Sequence, residues 1–382
     1  PADLSCSPWA ALIYRTSGKA TAVQPVSWLT FAGGAASNEA GTIVIQTADR
    51  GYVIAGTATA SFGSPIVDHS GGGTNVALVK LDSNGHQVWN TFAGGGTESV
   101  LGIVEASNGD ILLAGKSGAT FGSPLNPYGG VTQEGLVMRY SAQGNLIWMT
   151  FVGYNGGNDS AEAIAEASDG NIVITGWSAG NFGVPVNPFS GGVTTDAFVA
   201  KFSSSGTLLW NTFLGAVGTT QYGLAITRAS GGDLYVSGVT NAAFGSPLNP
   251  YAGGQEFLLA RFNSAGVLLW LTFAGSAGND YPYGKTATTT DGGYILAGMS
   301  DSSWGSPVTG YAGGADAIVL KYSSSGALQW HTYQGTAGTD QANGVTLRAD
   351  GSYCVVATSD ASWGAPVSAH SGSNDIAAFA LG

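Results

Sequence analysis

A short aromatic stretch that recurs at a constant interval constrains this chain more than any other feature. The stretch reads Trp, any residue, Thr and then Phe or Tyr. Its six copies are residues 28–31, 89–92, 148–151, 210–213, 270–273 and 330–333. Successive copies lie 59 to 62 positions apart, and a constant period of this length predicts a repeat architecture. In an extended strand the Trp and Thr face one side and the Phe faces the other, so each copy offers an aromatic ring to both neighbours.

Each repeat predicts four short antiparallel strands. A Gly-rich loop follows the Trp strand, and a second strand then ends at a tight turn such as Asp169-Gly170. A third strand, such as residues 52–56, ends in Gly, and a long loop after it contains a Phe-Gly-x-Pro motif such as residues 62–65. Residues 196–202 typify the fourth strand. Because no helical period is present, six such repeats predict an all-β, six-bladed β-propeller of four-stranded antiparallel blades.

The order of the strands predicts how the propeller closes. The chain enters on the Trp28 strand and leaves on a fourth strand at residues 375–381, so we expect the Trp28 strand to complete the last sheet. Residues 25–382 are then the propeller, and residues 1–24 are an N-terminal arm. Residues 10–15 of the arm resemble a fourth strand, which would make seven strands of this type against six of each other type. They are either a strand or strap on one blade, or a strand that augments the sheet of a neighbouring molecule.

The repeat is similar to the bacterial beta-propeller repeat of the SBBP type. The similarity rests on the hydrophobic-Asp/Asn-Gly-hydrophobic-Gly hairpin, the Phe-Gly-x-Pro loop and the Asp-x-Phe-x-x-Lys strand at residues 196–201. It covers about residues 25–382 and implies a secreted or surface-exposed bacterial protein, in a family mostly without assigned activity. Two features depart from the pattern: Ala380 replaces the Lys or Arg of the fourth strand, and the arm lies outside it.

The composition excludes several classes of protein. Charged residues are only 9% and aromatic residues 10%, whereas a disordered chain is rich in charge and poor in aromatics. Twelve basic residues over six repeats, in a chain of net charge −12, predict no nucleic-acid partner. No apolar run approaches the roughly 20 residues of a membrane helix, so we expect no membrane insertion. The chain starts at Pro1 rather than Met, which suggests a processed, exported protein, although a shortened chain would start in the same way.

The only two cysteines, Cys6 and Cys354, are candidates for a disulfide between the arm and the last repeat. The alternative is a buried Cys354 with Cys6 unpaired.

One polar position ends the Gly-rich loop of every repeat. Its occupants are Glu39, Glu98, Asp159, Gln221, Asp280 and Asp340. Five acids facing an axial opening could hold a hard cation such as Ca²⁺. The alternative is that each side chain closes its own turn by bonding nearby backbone amides. We favour the turn role and predict no cofactor, because Gln221 interrupts the series and no Asp-x-Asp-x-Asp-Gly loop is present.

The long loop of every repeat carries a second aromatic or His residue. These residues are His69, Tyr128, Phe189, Tyr251, Tyr311 and His370. Rings beside Asn residues are suited to stacking on a sugar, whereas rings beneath a long loop also form small cores. The periodic placement favours packing. The fourth strands add a basic residue five positions after a polar one, as in Asp196 and Lys201; this odd offset favours ion pairs between neighbouring blades.

No catalytic motif fits its required context. Residues 176–180 match Gly-x-Ser-x-Gly, but no helix follows them, and the four His residues show no zinc spacing. We therefore predict a secreted, non-enzymatic structural or interaction module at a cell surface. It would bind a protein partner or another copy of itself, with strand exchange of the arm as a route to self-assembly. The alternatives are a multivalent carbohydrate-binding propeller and an enzyme with a site in the axial opening.

Overall fold

The computed structural model describes residues 29–34, 38–130, 132–229, 231–283, 286–366 and 370–382. The regular secondary structure of these residues is entirely β, and the protein is a six-bladed β-propeller, as the repeat predicts. No helix within these ranges has the length and apolar character needed to span a membrane.

The described residues form twenty-four strands in six antiparallel sheets. The strands are β1 Glu39–Gln46, β2 Tyr52–Ala58, β3 Asn75–Leu81, β4 Gln87–Ala93, β5 Glu98–Glu105, β6 Ile111–Ser117, β7 Glu134–Tyr140, β8 Leu146–Val152, β9 Asp159–Glu166, β10 Ile172–Ser178, β11 Asp196–Phe202, β12 Leu208–Leu214, β13 Gln221–Arg228, β14 Leu234–Thr240, β15 Glu256–Phe262, β16 Leu268–Ala274, β17 Asp280–Tyr281, β18 Ala287–Thr288, β19 Tyr294–Ser300, β20 Asp316–Tyr322, β21 Leu328–Gln334, β22 Asp340–Leu347, β23 Tyr353–Ser359 and β24 Asp375–Leu381.

The sheets follow the chain in sequential order. The first two are β1-β2-β3-β4 and β5-β6-β7-β8, followed by β9-β10-β11-β12 and β13-β14-β15-β16. The fifth is β17-β19-β20-β21, with β18 also paired to β19, and Pro282 interrupts what is a single strand elsewhere. The last described sheet is β22-β23-β24. Each four-stranded sheet therefore ends on the Trp strand of the following repeat.

The chain divides into two compact units, each with its own buried clusters. One unit contains the described residues up to Pro185 together with Ala200–Asn211, and the other contains Val186–Val199 and Thr212–Gly382. Leu78, Leu113 and Phe151 lie in a core cluster of the first unit. Tyr235 and Tyr294 lie in a cluster of the second. The strands that correspond to the fourth strand of the sequence repeat, such as β3 and β11, are called fourth-type strands. They are buried along both faces, which is why their sequences are largely continuous apolar runs.

The strands that correspond to the third strand of the repeat, such as β10 and β14, are called third-type strands. Glycine at their fifth position is required because the backbone of the first strand of the sheet approaches closely there. A Cβ on Gly176 would lie 1.9 Å from the carbonyl oxygen of Ser160, and one on Gly238 would lie 1.8 Å from that of Tyr222. No side chain fits at such distances, so the pairing of the first two strands in these sheets depends on glycine. The last sheet differs, because Ala357 occupies this position and pairs with Ala342.

The Phe-Gly-x-Pro loop covers the free edge of the Trp strand. Ile66 N–H donates to Asn90 O at 2.9 Å, and Phe92 N–H donates to Val67 O at 3.1 Å. The same pair of hydrogen bonds recurs beside β8, β16 and β21. A short Pro-containing segment beside an outer strand blunts an edge that would otherwise template pairing with another chain.

The last sheet is more open than the others in the described part of the chain. β24 alternates between half-buried and exposed residues, and Ile376 is 76% exposed. Residues 29–34 form no strand, and Trp28 lies outside the described residues. The arm of residues 1–24, with its extra strand at 10–15, also lies outside them. Closure of the last sheet by the Trp28 strand and the role of the arm thus stay predictions.

Candidate functional site

The position predicted to form an acidic series lies at the first residue of the first strand in each sheet. Glu98, Asp159, Asp280 and Asp340 are at most 1% exposed. Each accepts hydrogen bonds from backbone amides of the preceding Gly-rich loop. Gly96 N–H donates to Glu98 Oε1 at 3.1 Å, for example, and Thr336 N–H donates to Asp340 Oδ2 at 2.8 Å. Gln221 is equally buried, and Glu39 accepts a bond from its own loop at Gly34 N–H. These hydrogen bonds are those of the turn-closing role.

A second polar residue begins each fourth-type strand, and in every such strand except β24 it is buried. In several sheets it lies beside the first. Around Gly335, Asp316 Oδ1 and Asp340 Oδ2 both lie 2.7 Å from the point that a Cβ of this glycine would occupy. Asn75 and Glu98 approach Gly94 in the same way. The second residues also bind loop amides, as where Ala312 N–H donates to Asp316 at 2.6 Å. This pairing of two buried side chains across a glycine was not predicted from the sequence.

Burial makes several of these carboxyl groups weak acids. Burial, with a smaller contribution from the nearby charge of Glu134, raises the pKa of Asp159 to about 6. Burial likewise raises the pKa of Asp316 to about 6, again with a neighbouring carboxyl, Asp340, acting in the same direction. The pKa values of Glu98, Glu134, Asp196, Glu256 and Asp280 are also raised by burial.

The composition of the pairs agrees with a shared proton. Glu134 and Asp316 each have a buried carboxyl oxygen without a hydrogen-bond partner among the described residues. In two pairs an amide, Asn75 or Gln221, stands where the others have an acid. An amide has nearly the shape of a protonated carboxyl and carries no charge, so these pairs hold one charged group at most. Within the described ranges, no three acidic, His or Cys side chains come together to hold a metal ion.

The second aromatic residues of the long loops pack against the aromatic residue of the Trp strand. The rings of Tyr128 and Phe151 have centroids 5.3 Å apart in an edge-to-face arrangement. The rings that pack in this way are His69, Tyr128, Phe189, Tyr251 and Tyr311. Tyr311 Oη also donates to Asp301 O at 2.7 Å, and His370 is half-buried. The loops are therefore held to the sheets by these rings, the packing role that the periodic placement favours.

The basic residues of the fourth-type strands form ion pairs within their own sheet. Arg139 lies 2.6 Å from Asp110, and Lys201 lies 2.7 Å from Asp169. Both acids belong to the turn between the first and second strands of the same sheet. The prediction of ion pairs between blades is wrong, because the fourth-type strand lies beside the third-type strand that follows this turn. The indole N–H of Trp148 instead reaches another turn, donating to Ser204 O at 3.0 Å.

Two remaining candidates are structural in the described residues. Ser178 of the Gly-x-Ser-x-Gly match donates to Gly180 O at 2.9 Å and lies at the end of β10 without a following helix. Cys354 is 3% exposed and disulfide-bonded, whereas Cys6 lies outside the described residues.

Comparison with known proteins gives fold similarity alone. No family model and no curated protein matches the sequence, so the similarity to the SBBP repeat stays a prediction. A protein of unknown function from Dyadobacter fermentans is 14% identical, with a TM-score of 0.45, over 90% of this chain and 94% of that one. A thermostable family-43 glycoside hydrolase is 11% identical, with a TM-score of 0.37 and coverages of 80% and 96%. A mannose phosphorylase from Leishmania mexicana is 10% identical, with a TM-score of 0.34 and coverages of 86% and 82%.

The expectation that the chain is not an enzyme is corrected by these comparisons. It rested on the absence of a catalytic cluster from the repeats, yet two of the similar structures belong to enzymes. Catalysis is therefore not excluded. At these identities and TM-scores, the similarities assign no activity to this chain.

Proposed function

We propose that this chain is an exported structural propeller, and that copies of it join through a strand supplied by the N-terminal arm. The observation that carries the proposal is the pairing of the last sheet: among the described residues β24 has a neighbouring strand on one side only, whereas the fourth-type strands of the other sheets lie between two strands. An exposed sheet edge is the feature on which strand addition between molecules depends.

The other sheets offer fewer places for such a strand. The outer strands β4, β8, β16 and β21 each pair with their own Pro-containing loop through two backbone hydrogen bonds. By the pattern of the other sheets, the Trp28 strand would fill the place beside β24 in its own chain. Residues 10–15, the surplus fourth-type strand, would then pair with the outer edge of the completed last sheet of a neighbouring copy, as a fifth strand.

Deletion of residues 1–20 tests the proposal. The full-length chain should associate in solution, and the deleted chain should have the mass of a single copy by light scattering. Ile13→Pro, inside the surplus strand, should act like the deletion, because proline removes a backbone donor from strand pairing. Ala22→Pro, outside that strand, is the matched control and should associate normally. An unchanged mass after the deletion would rule out strand exchange.

A further inference from the structure

An open cavity of about 670 Å³ lies in the unit that contains β5–β10. Tyr154, Asn155, Asn181, Phe182 and Thr207 are among the residues that line it. The volume falls in the range of small-ligand sites, which are roughly 300–1,000 Å³. Packing of the propeller does not account for the residues that line it, because several of them depart from the repeat.

Tyr154 is the clearest departure. The residue after the glycine that ends the Trp strand is Gly95, Ala216, Ser276 or Thr336 in other repeats. Only this repeat places an aromatic ring there among those described. The ring is 42% exposed and lines the cavity, so it is accessible to a ligand there.

A second departure makes room for that ring. Gly180 stands where other repeats have Ala or Ser, as at Ala119 and Ser302. A Cβ on Gly180 would lie 2.6, 2.8 and 2.9 Å from Cγ, Cδ1 and Cδ2 of Tyr154. Three nearly equal distances place Gly180 over the face of the ring. The glycine therefore supports one face of the Tyr154 ring and holds the ring where it lines the cavity. The two departures from the repeat thus act together.

The remaining polar groups of the cavity are uncharged. Asn155, Asn181 and Thr207 are exposed there and offer amide and hydroxyl groups that can both donate and accept hydrogen bonds. No Lys, Arg, His, Asp or Glu lines the cavity within the described part of the chain. A charged ligand would find no counter-charge in it, and the net charge of −12 further opposes an anion.

From this combination we infer that the cavity binds a neutral carbohydrate. The ring of Tyr154 would stack on the apolar C–H face of a sugar, and Asn155, Asn181 and Thr207 would bond its hydroxyl groups. The site is distinct from the loop aromatics such as Tyr128, whose rings are committed to packing. It is independent of the assembly proposed for the arm, because none of its residues belongs to the arm or the last sheet.

Titration calorimetry with cellobiose, maltose, lactose and N,N′-diacetylchitobiose tests the inference on the full chain. At least one of these sugars should bind, and Tyr154→Ala should weaken that binding about tenfold or more, since an aromatic contact is lost. Tyr154→Phe keeps the ring and should bind nearly as the wild type does. Tyr283→Ala is the matched control, because Tyr283 is similarly exposed, at 45%, and lies outside the cavity.

Amide NMR of the unmodified protein gives a readout that does not depend on a variant folding. The bound sugar should shift the side-chain amide signals of Asn155 and Asn181 and leave that of Asn84 unchanged. The inference is overturned if none of the four sugars binds. It is equally overturned if binding persists in Tyr154→Ala or shifts signals away from the cavity.

Discussion

Replacing Asp159 by Asn should make the protein more stable at neutral pH and less stable in acid. Burial raises the pKa of this carboxyl from its ordinary value of 3.8 to about 6. Because the folded-state pKa is raised, the stabilising contribution is complete below about pH 3.8 and is lost as the pH rises through about 6. A shift of about two pH units at 1.36 kcal/mol per unit corresponds to ~3 kcal/mol.

The variant also loses part of a hydrogen-bond set. Asp159 accepts from Tyr154 N–H through Oδ2 at 3.0 Å and from Ala179 N–H through Oδ1 at 3.2 Å. The Asn side chain has one acceptor oxygen, so one of these bonds is lost at any pH, at a cost of about 1 kcal/mol. The expected change in the free energy of unfolding is thus a gain of ~2 kcal/mol at pH 7.5 and a loss of ~1 kcal/mol at pH 3.5.

Urea unfolding of wild type and variant at the two pH values measures this difference in unfolding free energy. Groups that titrate in the same way in both proteins cancel from the difference. Asp169→Asn is a control of opposite sign: the bond from Lys201 holds the pKa of Asp169 below its ordinary value, so this variant should lose stability at pH 7.5 and recover towards the wild type in acid. If Asp159→Asn shifts stability by the same amount at both pH values, the pKa of the buried carboxyl is not raised and the reasoning fails.

Three further predictions concern other contacts. Gly238→Ala should lower the unfolding free energy by more than about 3 kcal/mol or prevent folding, because its methyl group would meet a carbonyl oxygen, whereas Ala357→Gly should cost only about 1 kcal/mol in urea unfolding. Arg261→Lys should cost about 1 kcal/mol by the same assay, since Nε and Nη2 of the arginine both reach Asp233, at 2.9 and 2.7 Å. Cys354→Ser should lower the melting temperature to that of reduced wild type, with a loss of about 2–5 kcal/mol from the missing disulfide. Equal melting of oxidised and reduced wild type would contradict this last prediction.

Most of the fold could be predicted because its determinants are local and repeated. Turns such as Asp169-Gly170 could be predicted because the turn needs a residue of positive φ, which glycine adopts readily; φ is 74° at Gly170. The fourth-type strand at 196–202 lies where its apolar run predicts it. The covering of the Trp strand by its loop could not be predicted, because the hydrogen bonds between Ile66 and Asn90 are made by backbone atoms that carry no side-chain signal.

The site residues were harder to place for a different reason. Asp159 begins β9 and Glu134 begins β7 in another sheet, and only the packing of the two sheets brings their carboxyl groups close enough to interact. Whether Arg139 forms its ion pair within its own sheet or with the next blade depends on the order of the strands in the sheet, which the spacing of charged residues does not give. Tyr154 and Gly180 are each visible as departures from the repeat, but only the structure shows that one supports the other.

The methyl group of Ala357 has a consequence for changing the number of repeats. In the other sheets, glycine lets the first two strands approach by the same route, so these modules should be exchangeable at that contact. In the final module Ala357 faces Ala342 of β22, and both strands belong to that module. A whole terminal module should therefore be tolerated at another place, because the contact moves with it, whereas a hybrid that pairs β23 with the first strand of another module should bring the Ala357 methyl group against a carbonyl oxygen.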